Sequence, residues 1–431
     1  MQTSAELRHR RLDPITCLPN REQFMLDYRC APGTDLIKMT ISDDTHFNQL
    51  LRTIGHDCAE DFLRAGAQRL GAVLPSSATL YHIGSLSFVF TLPAKFVDDQ
   101  LATVVELFHK PVVCAGIPIT TDIAIGVVEC TDPNPAVTLR AAFAAVQDSR
   151  DAGQDWARYD HTTDFAHMRS FLLLSHLTAA LDANDQLSLH FQPKYDMASG
   201  RITSAEALIR WDHPEYGPIS PAEFVPLAET TAHIHALTSW VLRRAIAQAG
   251  AWAAKGSDIN IAINISPRNL TRRGFAAQTS EILKYYGVEP SMIELEFTEG
   301  SVVGNDSIVL EELTALRSTG IRIALDDFGT GFANFSYITH FPADIIKIDK
   351  CFIQKISTDP RSAQVVRSLI ELAHKLNYRV VAEGIETEKT YTMLAAWNCD
   401  EGQGFFMSKP LSATHFSEKI RHGAPSLVIA L

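Results

Sequence analysis

Cysteine is scarce and follows no pairing pattern. The seven residues of the 431-residue chain are Cys17, Cys30, Cys58, Cys114, Cys130, Cys351 and Cys399. No CxxC spacing occurs, which excludes a zinc ribbon and a dense disulfide frame and predicts reduced, mostly buried thiols. Long apolar runs are also missing. None approaches the roughly 18 residues of a membrane helix. The opening stretch MQTSAELRHRR lacks the apolar segment of a secretion signal. A cytoplasmic protein is expected, with any sensory or membrane region lying upstream. Positive charge is in deficit as well: the net charge is −12. Residues 1–160 hold 14 Lys+Arg against 20 Asp+Glu, and the remainder 24 against 30. With no basic domain, binding to a nucleic-acid polymer is not expected. An anionic substrate would need local cations or metal.

What is present is an ordinary globular composition, 46% hydrophobic and 20% charged, long enough for two or three domains. The first part alternates short strands and helices. Strands are predicted at 35–42 and 119–128, helices at 55–74, 98–110 and 136–152, and a hairpin in TLYHIGSLSFVFTL around Gly84-Ser85. This βαββαβ-like order predicts an α+β domain over 1–160, an antiparallel sheet with helices on one face. Residues 161–184 read as a linker helix, with Phe171, Leu174, Leu177 and Leu181 at helical spacing.

From residue 185 to 431 the pattern is that of a (βα)8-type barrel. Eight β-like runs follow one another: LSLHFQPKYD, ITSAEALIRW, DINIAINIS, MIELEFTEG, IRIALDDFG, ADIIKIDK, RVVAEGIE and CDEGQGFFMS. Only DMASGR separates the first two, too short for a parallel crossover, so the first strand should be antiparallel to the second. The later runs carry polar groups toward their C-terminal ends: Glu206, Asn264, Glu296, Glu299, Asp326, Asp327, Lys347, Glu383, Glu386 and Gln403. In such a barrel that end holds the active site. Taken singly, each acid is more readily a cap for the following helix. Together they form an oxygen-rich set suited to magnesium or manganese, as a two-metal phosphodiester hydrolysis requires. The adjacent Asp326 and Asp327 raise a difficulty, because neighbours on a strand point to opposite faces.

In these motifs the second part resembles an EAL domain, the family of cyclic di-GMP phosphodiesterases. The resemblance runs from about Gln192 to Pro410 through FQP, EALIRW, SPAEFVPLAE, NIS, EFTE, DDFGTGF, KID, AEGIE and QGF, in order. It implies hydrolysis of one bond of cyclic di-GMP to pGpG with two Mg2+ or Mn2+ ions. It implies metal ligation by Glu206, Asn264, Glu296, Asp326 and Asp327, with catalytic work by Lys347, Glu383 and Glu206. Gln192, Leu208, Arg210 and Gln403 would meet or support the substrate, Arg210 through a phosphate. Glu299, with Gly329, Thr330 and Gly331, would anchor or form the loop after the paired aspartates. None of the acids is lost. The departures are Gly300 after the TE pair and Phe332-Ala333-Asn334 beside the loop. A homodimer through the EAL domain is expected. The alternative is a receptor that binds cyclic di-GMP without turnover. A weaker reading is a scaffold whose EAL surface binds partners.

The first part resembles a GGDEF domain, the diguanylate cyclase fold, in Asp13-Pro14-Ile15-Thr16-Cys17-Leu18-Pro19-Asn20-Arg21, GHDCAED and IAIGVV. Its signature has decayed to Gly84-Ser85-Leu86-Ser87-Phe88, so both acids are replaced. The guanine-binding positions fall on Leu51 and Arg52, and the inhibitory RxxD positions on Pro75 and Ala78. Asp43 keeps one ligand position. No cyclase activity is expected, and a regulatory or dimerisation fold is favoured over GTP binding at this degenerate domain.

Overall fold

The computed structural model of the chain describes residues 11–114, 116–183, 185–298, 307–329 and 341–421. It divides into two compact units, Met1–Arg169 and Ser170–Leu431. The helix His161–Asp182 begins in the first and ends in the second.

In the first unit the strands are β1 (Thr34–Thr40), β2 (Tyr81–Gly84), β3 (Ser87–Pro93), β4 (Val112–Cys114), β5 (Ile117–Ile119), β6 (Ala124–Glu129) and β7 (Trp156–Arg158). Five of them form one sheet in the order β2-β3-β1-β6-β7, antiparallel except for the parallel β6–β7 pair. Two points differ from the sequence reading. The strand expected at 119–128 is broken: β4 and β5 make a separate two-stranded hairpin, and only β6 joins the sheet. Helices also cover both faces of the sheet, not one. Ile37 and Met39 of β1 pack with Phe62 of the helix His56–Val73, whereas Leu36 packs with Phe24, Leu139 and Ala142 on the opposite side. Period-2 alternation sends Ile37 and Met39 to one side and Leu36 to the other, so both faces present apolar side chains to be covered. Gly126 lets the helix Pro135–Asp151 lie directly on β6, since a Cβ there would meet the backbone of Ala142 and Val146. An additional helix, Asp44–Ile54, precedes the predicted one; Asp43 caps it by accepting from His46 N.

The second unit is a closed barrel. Its strands are β8 (Leu187–Asp196), β9 (Ile202–His213), β10 (Gly217–Ile219), β11 (Asn260–Asn264), β12 (Ile293–Thr298), β13 (Arg322–Phe328), β14 (Ile345–Ile348), β15 (Arg379–Ala382), β16 (Glu401–Gly402) and β17 (Leu411–Ser412). The ring runs β9-β11-β12-β13-β14-β15-β16-β8 and closes through β8–β9. As expected from the short DMASGR link, β8 is antiparallel to β9, with Leu187 opposite Trp211 and Gln192 opposite Glu206. From β9 through β16 the neighbours are parallel.

Alternation sorts the barrel strands. On β12, Ile293, Leu295 and Phe297 join the outer core beneath the helices, while Glu294 and Glu296 turn inward. The helix His161–Asp182 buries Leu173, Leu177 and Ala180 against Trp211 and Phe224. Leu177 and Leu181 of the predicted face do pack here, but toward the N-terminal side the stripe is turned: Leu173 is buried and Phe171 is exposed. Long helices read from sequence spacing are sensitive to such a rotation, because at 3.6 residues per turn one position moves the stripe by about 100°.

Candidate active site

The barrel interior is charged, and two lysines organise it. Lys347, on β14, is fully buried. Its Nζ lies 2.6 Å from Glu383 Oε1, 2.7 Å from Glu296 Oε2 and 3.1 Å from Asp326 Oδ1. Lys194, on β8, is also fully buried and lies 2.8 Å from Glu294 Oε1 and 2.6 Å from Glu296 Oε1. Nearer β9, Glu206 accepts from Asn264 Nδ2 at 2.7 Å and from Gln403 Nε2 at 2.6 Å. Most of the predicted site thus converges in two hydrogen-bonded groups, Glu206 with Asn264 and Gln403, and Lys347 with Glu296, Asp326 and Glu383, close enough that Glu206 acts electrostatically on Lys347 and Glu383.

Asp326 and Asp327 resolve their apparent conflict through a β-bulge. The pairing of β13 with β14 shifts register between Leu325 and Phe328, and Asp327 has a left-handed φ of 54°. Leu325 and Phe328 both return to the outer core. The extra residue lets both carboxylates stay with the mouth, where Asp327 also feels the charges of Asp349, Lys347 and Glu206. Gly329 follows with φ 94°. Glu299, Thr330 and Gly331, with Gly300 and Phe332-Ala333-Asn334, lie outside the described residues.

Proton affinities follow from burial and the lysines. Burial would raise Glu296, but Lys194 and Lys347 reverse this and hold it down to about 2. Burial raises Glu383 to about 8, opposed by Lys347 and reinforced by Asp326 and Glu206. Burial pushes Asp326 up against Lys347; burial and then Asp349 push Asp327 up. Burial disfavours the Lys347 charge, yet Asp326, Glu296 and Glu383 hold its affinity for the proton well above the usual lysine range.

Of the predicted substrate-side residues, Leu208 lines an open cavity of about 450 Å³. Its floor is Asn264, Glu296 and Thr298, and its walls include Leu208, Pro221, Val225, Pro226 and Leu237. Arg210 is half-buried on β9 and donates to the Ile209 carbonyl at 2.8 Å. Gln192 lies opposite Glu206 and donates to the Ser408 carbonyl at 3.2 Å.

The chemistry of the donor set fits hard divalent cations. Five carboxylates (Glu206, Glu296, Asp326, Asp327 and Glu383) gather at the mouth, with Glu294 paired to Lys194 behind them, and hard oxygen donors suit magnesium or manganese. Two buried polar atoms at the mouth, Gln403 Oε1 and Ser266 Oγ, have no partner among the described residues, as expected where a further group belongs. In the arrangement shown, no group of three or more His, Cys, Asp or Glu among the described residues is set to hold an ion. Lys347 stands between the acids instead.

Sequence reasoning missed Lys194 and Glu294. Their signal was available: Gln192 and Lys194 share one face of β8, and Glu294 and Glu296 share one face of β12. Glu386, considered as a helix cap, instead accepts from Gln354 Nε2, and Thr387 caps the helix Glu388–Ala396. Asp349 caps the short helix Lys350–Ile353.

In the first unit, Leu86 is buried in the core. Asp13 turns the opening loop by accepting from Ile15 N and Thr16 N, and it pairs with buried His82 at 2.9 Å. Beside this hairpin lies an open cleft of about 590 Å³ lined by Asn20, Arg21, Leu51, Glu60, His82 and Ser85, among others.

An eight-stranded barrel with a reversed first strand and an acid-ringed mouth defines the class, and the chain belongs to the EAL domain family, matched over residues 175–410 and preceded by a match to the diguanylate cyclase GGDEF domain over residues 10–155. It is similar to the cyclic di-GMP phosphodiesterase PA2567 of Pseudomonas aeruginosa, 39% identical over 420 residues that cover 95% of this chain and 71% of that protein. It is also similar to the signaling protein YkoW of Bacillus subtilis, 31% identical, covering 96% of this chain but only 52% of that protein. Among solved structures, the PaMucR phosphodiesterase in complex with c-di-GMP aligns with a TM-score of 0.54 and 37% identity, over 57% of this chain and 99% of that one. No helix among the described residues is long and apolar enough to cross a membrane.

Proposed function

We propose that residues 185–431 form a cyclic di-GMP phosphodiesterase that opens one phosphodiester bond to give pGpG, with two Mg2+ or Mn2+ ions. The observation that carries this reading is the intact acid set on successive strand ends, opening into an apolar-walled cavity. Glu206, Asn264, Glu296, Asp326 and Asp327 would hold the cations, which when bound supply Lewis acidity toward the phosphate. Leu208, Val225 and Pro226 offer an apolar surface to a guanine base. Arg210, with no ion-pair partner among the described residues, offers its guanidinium to a phosphate. Glu383 accepts the proton of the attacking water, and Lys347 holds Glu383, Glu296 and Asp326 in place. Gln403 fixes Glu206 through its amide.

The GGDEF domain, residues 1–160, is a regulatory or dimerisation module without cyclase activity, connected by residues 161–184. The loss of the signature acids at Leu86 and Ser87 supports this. A homodimer through the EAL domain accompanies the reading; a monomer by light scattering at high concentration, still fully active, contradicts it. The deciding assay incubates purified protein with Mn2+ and cyclic di-GMP and follows pGpG by chromatography. Tight binding of cyclic di-GMP without pGpG would replace the enzyme with a receptor.

A further inference from the structure

We infer that Lys194 is a positioning residue for the proposed hydrolysis: its ammonium anchors one oxygen of Glu296 from within the barrel, so that the other oxygen is presented to the mouth. This rests on the phosphodiesterase reading above.

Lys194 stands on β8 and Glu296 on β12, with β9 and β11 between them in the ring. The ammonium therefore crosses the barrel interior to reach its partners. It meets Glu296 Oε1 at 2.6 Å and Glu294 Oε1 at 2.8 Å, and none of the three side chains is more than 2% exposed. The opposite oxygen, Glu296 Oε2, lies 2.7 Å from Lys347 at the mouth. A carboxylate turns about its last torsion with little resistance. Tying Oε1 to a fixed ammonium removes that freedom and assigns the two oxygens different duties.

Glu294 makes the arrangement tolerable. A lone buried ammonium is costly, and a paired one much less so. The Lys194–Glu294 pair is neutral in sum, so it supplies an anchor without altering the net charge facing the cations. Geometry and charge are thereby separable by mutation. Replacing both partners, in K194M/E294Q, keeps the net charge and removes only the anchor. E294Q alone keeps the anchor, because the lysine still reaches Glu296 and the new amide oxygen still accepts from it.

The test titrates metal-free full-length chain with Mn2+ by isothermal calorimetry. K194M/E294Q is expected to bind Mn2+ about tenfold more weakly than wild type, the lower end of what outer partners of metal ligands contribute. E294Q is expected to bind within about threefold of wild type. The Mn2+ concentration giving half-maximal turnover should move with the calorimetric constant, while KM for cyclic di-GMP at saturating Mn2+ stays within twofold. A double variant that binds Mn2+ within twofold of wild type overturns the inference. So does E294Q losing as much as the double variant, which would assign the effect to barrel packing. If K194M/E294Q does not fold, K194M/E294L offers an apolar pair of similar volume that also lacks the anchor, and wild-type Mn2+ binding there overturns the inference equally. Failure of wild type to produce pGpG defeats the phosphodiesterase reading, while the calorimetric comparison still judges Lys194.

Discussion

Replacing Lys347 by methionine removes the ammonium that three carboxylates share. Lys347 is wholly buried, with oxygens of Glu383, Glu296 and Asp326 at 2.6, 2.7 and 3.1 Å. Removing one partner of a buried ion pair costs about 3–5 kcal/mol because the remaining charge is left uncompensated. Here the lower end applies. Glu383, whose proton affinity burial already raises to about 8, takes up a proton once the ammonium is gone and so is not left as a bare charge. Glu296 keeps Lys194. The stranded charge is mainly Asp326, which burial already raises. A loss of about 3 kcal/mol in a unit of this size corresponds to a fall of roughly 6–12 °C in its melting temperature. Thermal unfolding of K347M in EDTA at pH 7 measures it. Turnover with Mn2+ should also fall by at least about a hundredfold, as loss of a group that positions a general base would cause. A melting temperature within 2 °C of wild type would refute the picture of Lys347 as the compensating charge.

Further expectations concern other parts of the chain. Asp164 accepts both guanidinium nitrogens of Arg140 at 2.8 Å and the Tyr159 hydroxyl at 2.6 Å, and these hold its carboxyl below the usual range. A lowered carboxylate stabilises the fold above its unfolded pKa near 3.9, and that stability is lost as pH falls through the folded value. Asp164→Asn should therefore cost about 1 kcal/mol at pH 7, modest because Arg140 is half-exposed, and the gap to wild type in urea unfolding should narrow as pH falls below about 4; a pH-independent gap contradicts the assignment. A Cβ on Gly404 would run into the backbone of Ile385, so Gly404→Ala should destabilise the barrel by about 1–3 kcal/mol and, by shifting Gln403 from Glu206, lower turnover at least about tenfold; unchanged melting and turnover would show that the rim yields freely. Incubation with GTP and Mg2+ should yield no cyclic di-GMP; any product would show that the hairpin at Leu86 does not abolish cyclase chemistry.

Much of the site was legible because strand ends carry their function as residue type. Asn264, Glu296, Lys347, Glu383 and Gln403 each stand within two residues of the end of a short strand, whereas Glu206 stands midway along β9, and parallel pairing in register brings these levels together. The reversed first strand was legible too, since a six-residue link allows no crossover. The break between β5 and β6, the helices on both faces of the first sheet and the turned face of the helix at 161–182 were not. Each depends on which neighbour covers a surface, and an apolar residue looks the same whichever neighbour covers it.

By itself the sequence determined the two-unit order, the barrel, and the roster of acids at its mouth, because hydrophobic period and link length constrain topology directly. Only the tertiary structure decided how those acids coexist. The bulge that keeps Asp326 and Asp327 together at the mouth requires an extra residue in one strand relative to its partner, which is a property of the pair and not of either strand. The role of Lys194 likewise depends on a ring closed across β9 and β11. Charges far apart along the chain become partners only once the barrel removes water from between them, and that makes their few ångströms of separation decisive.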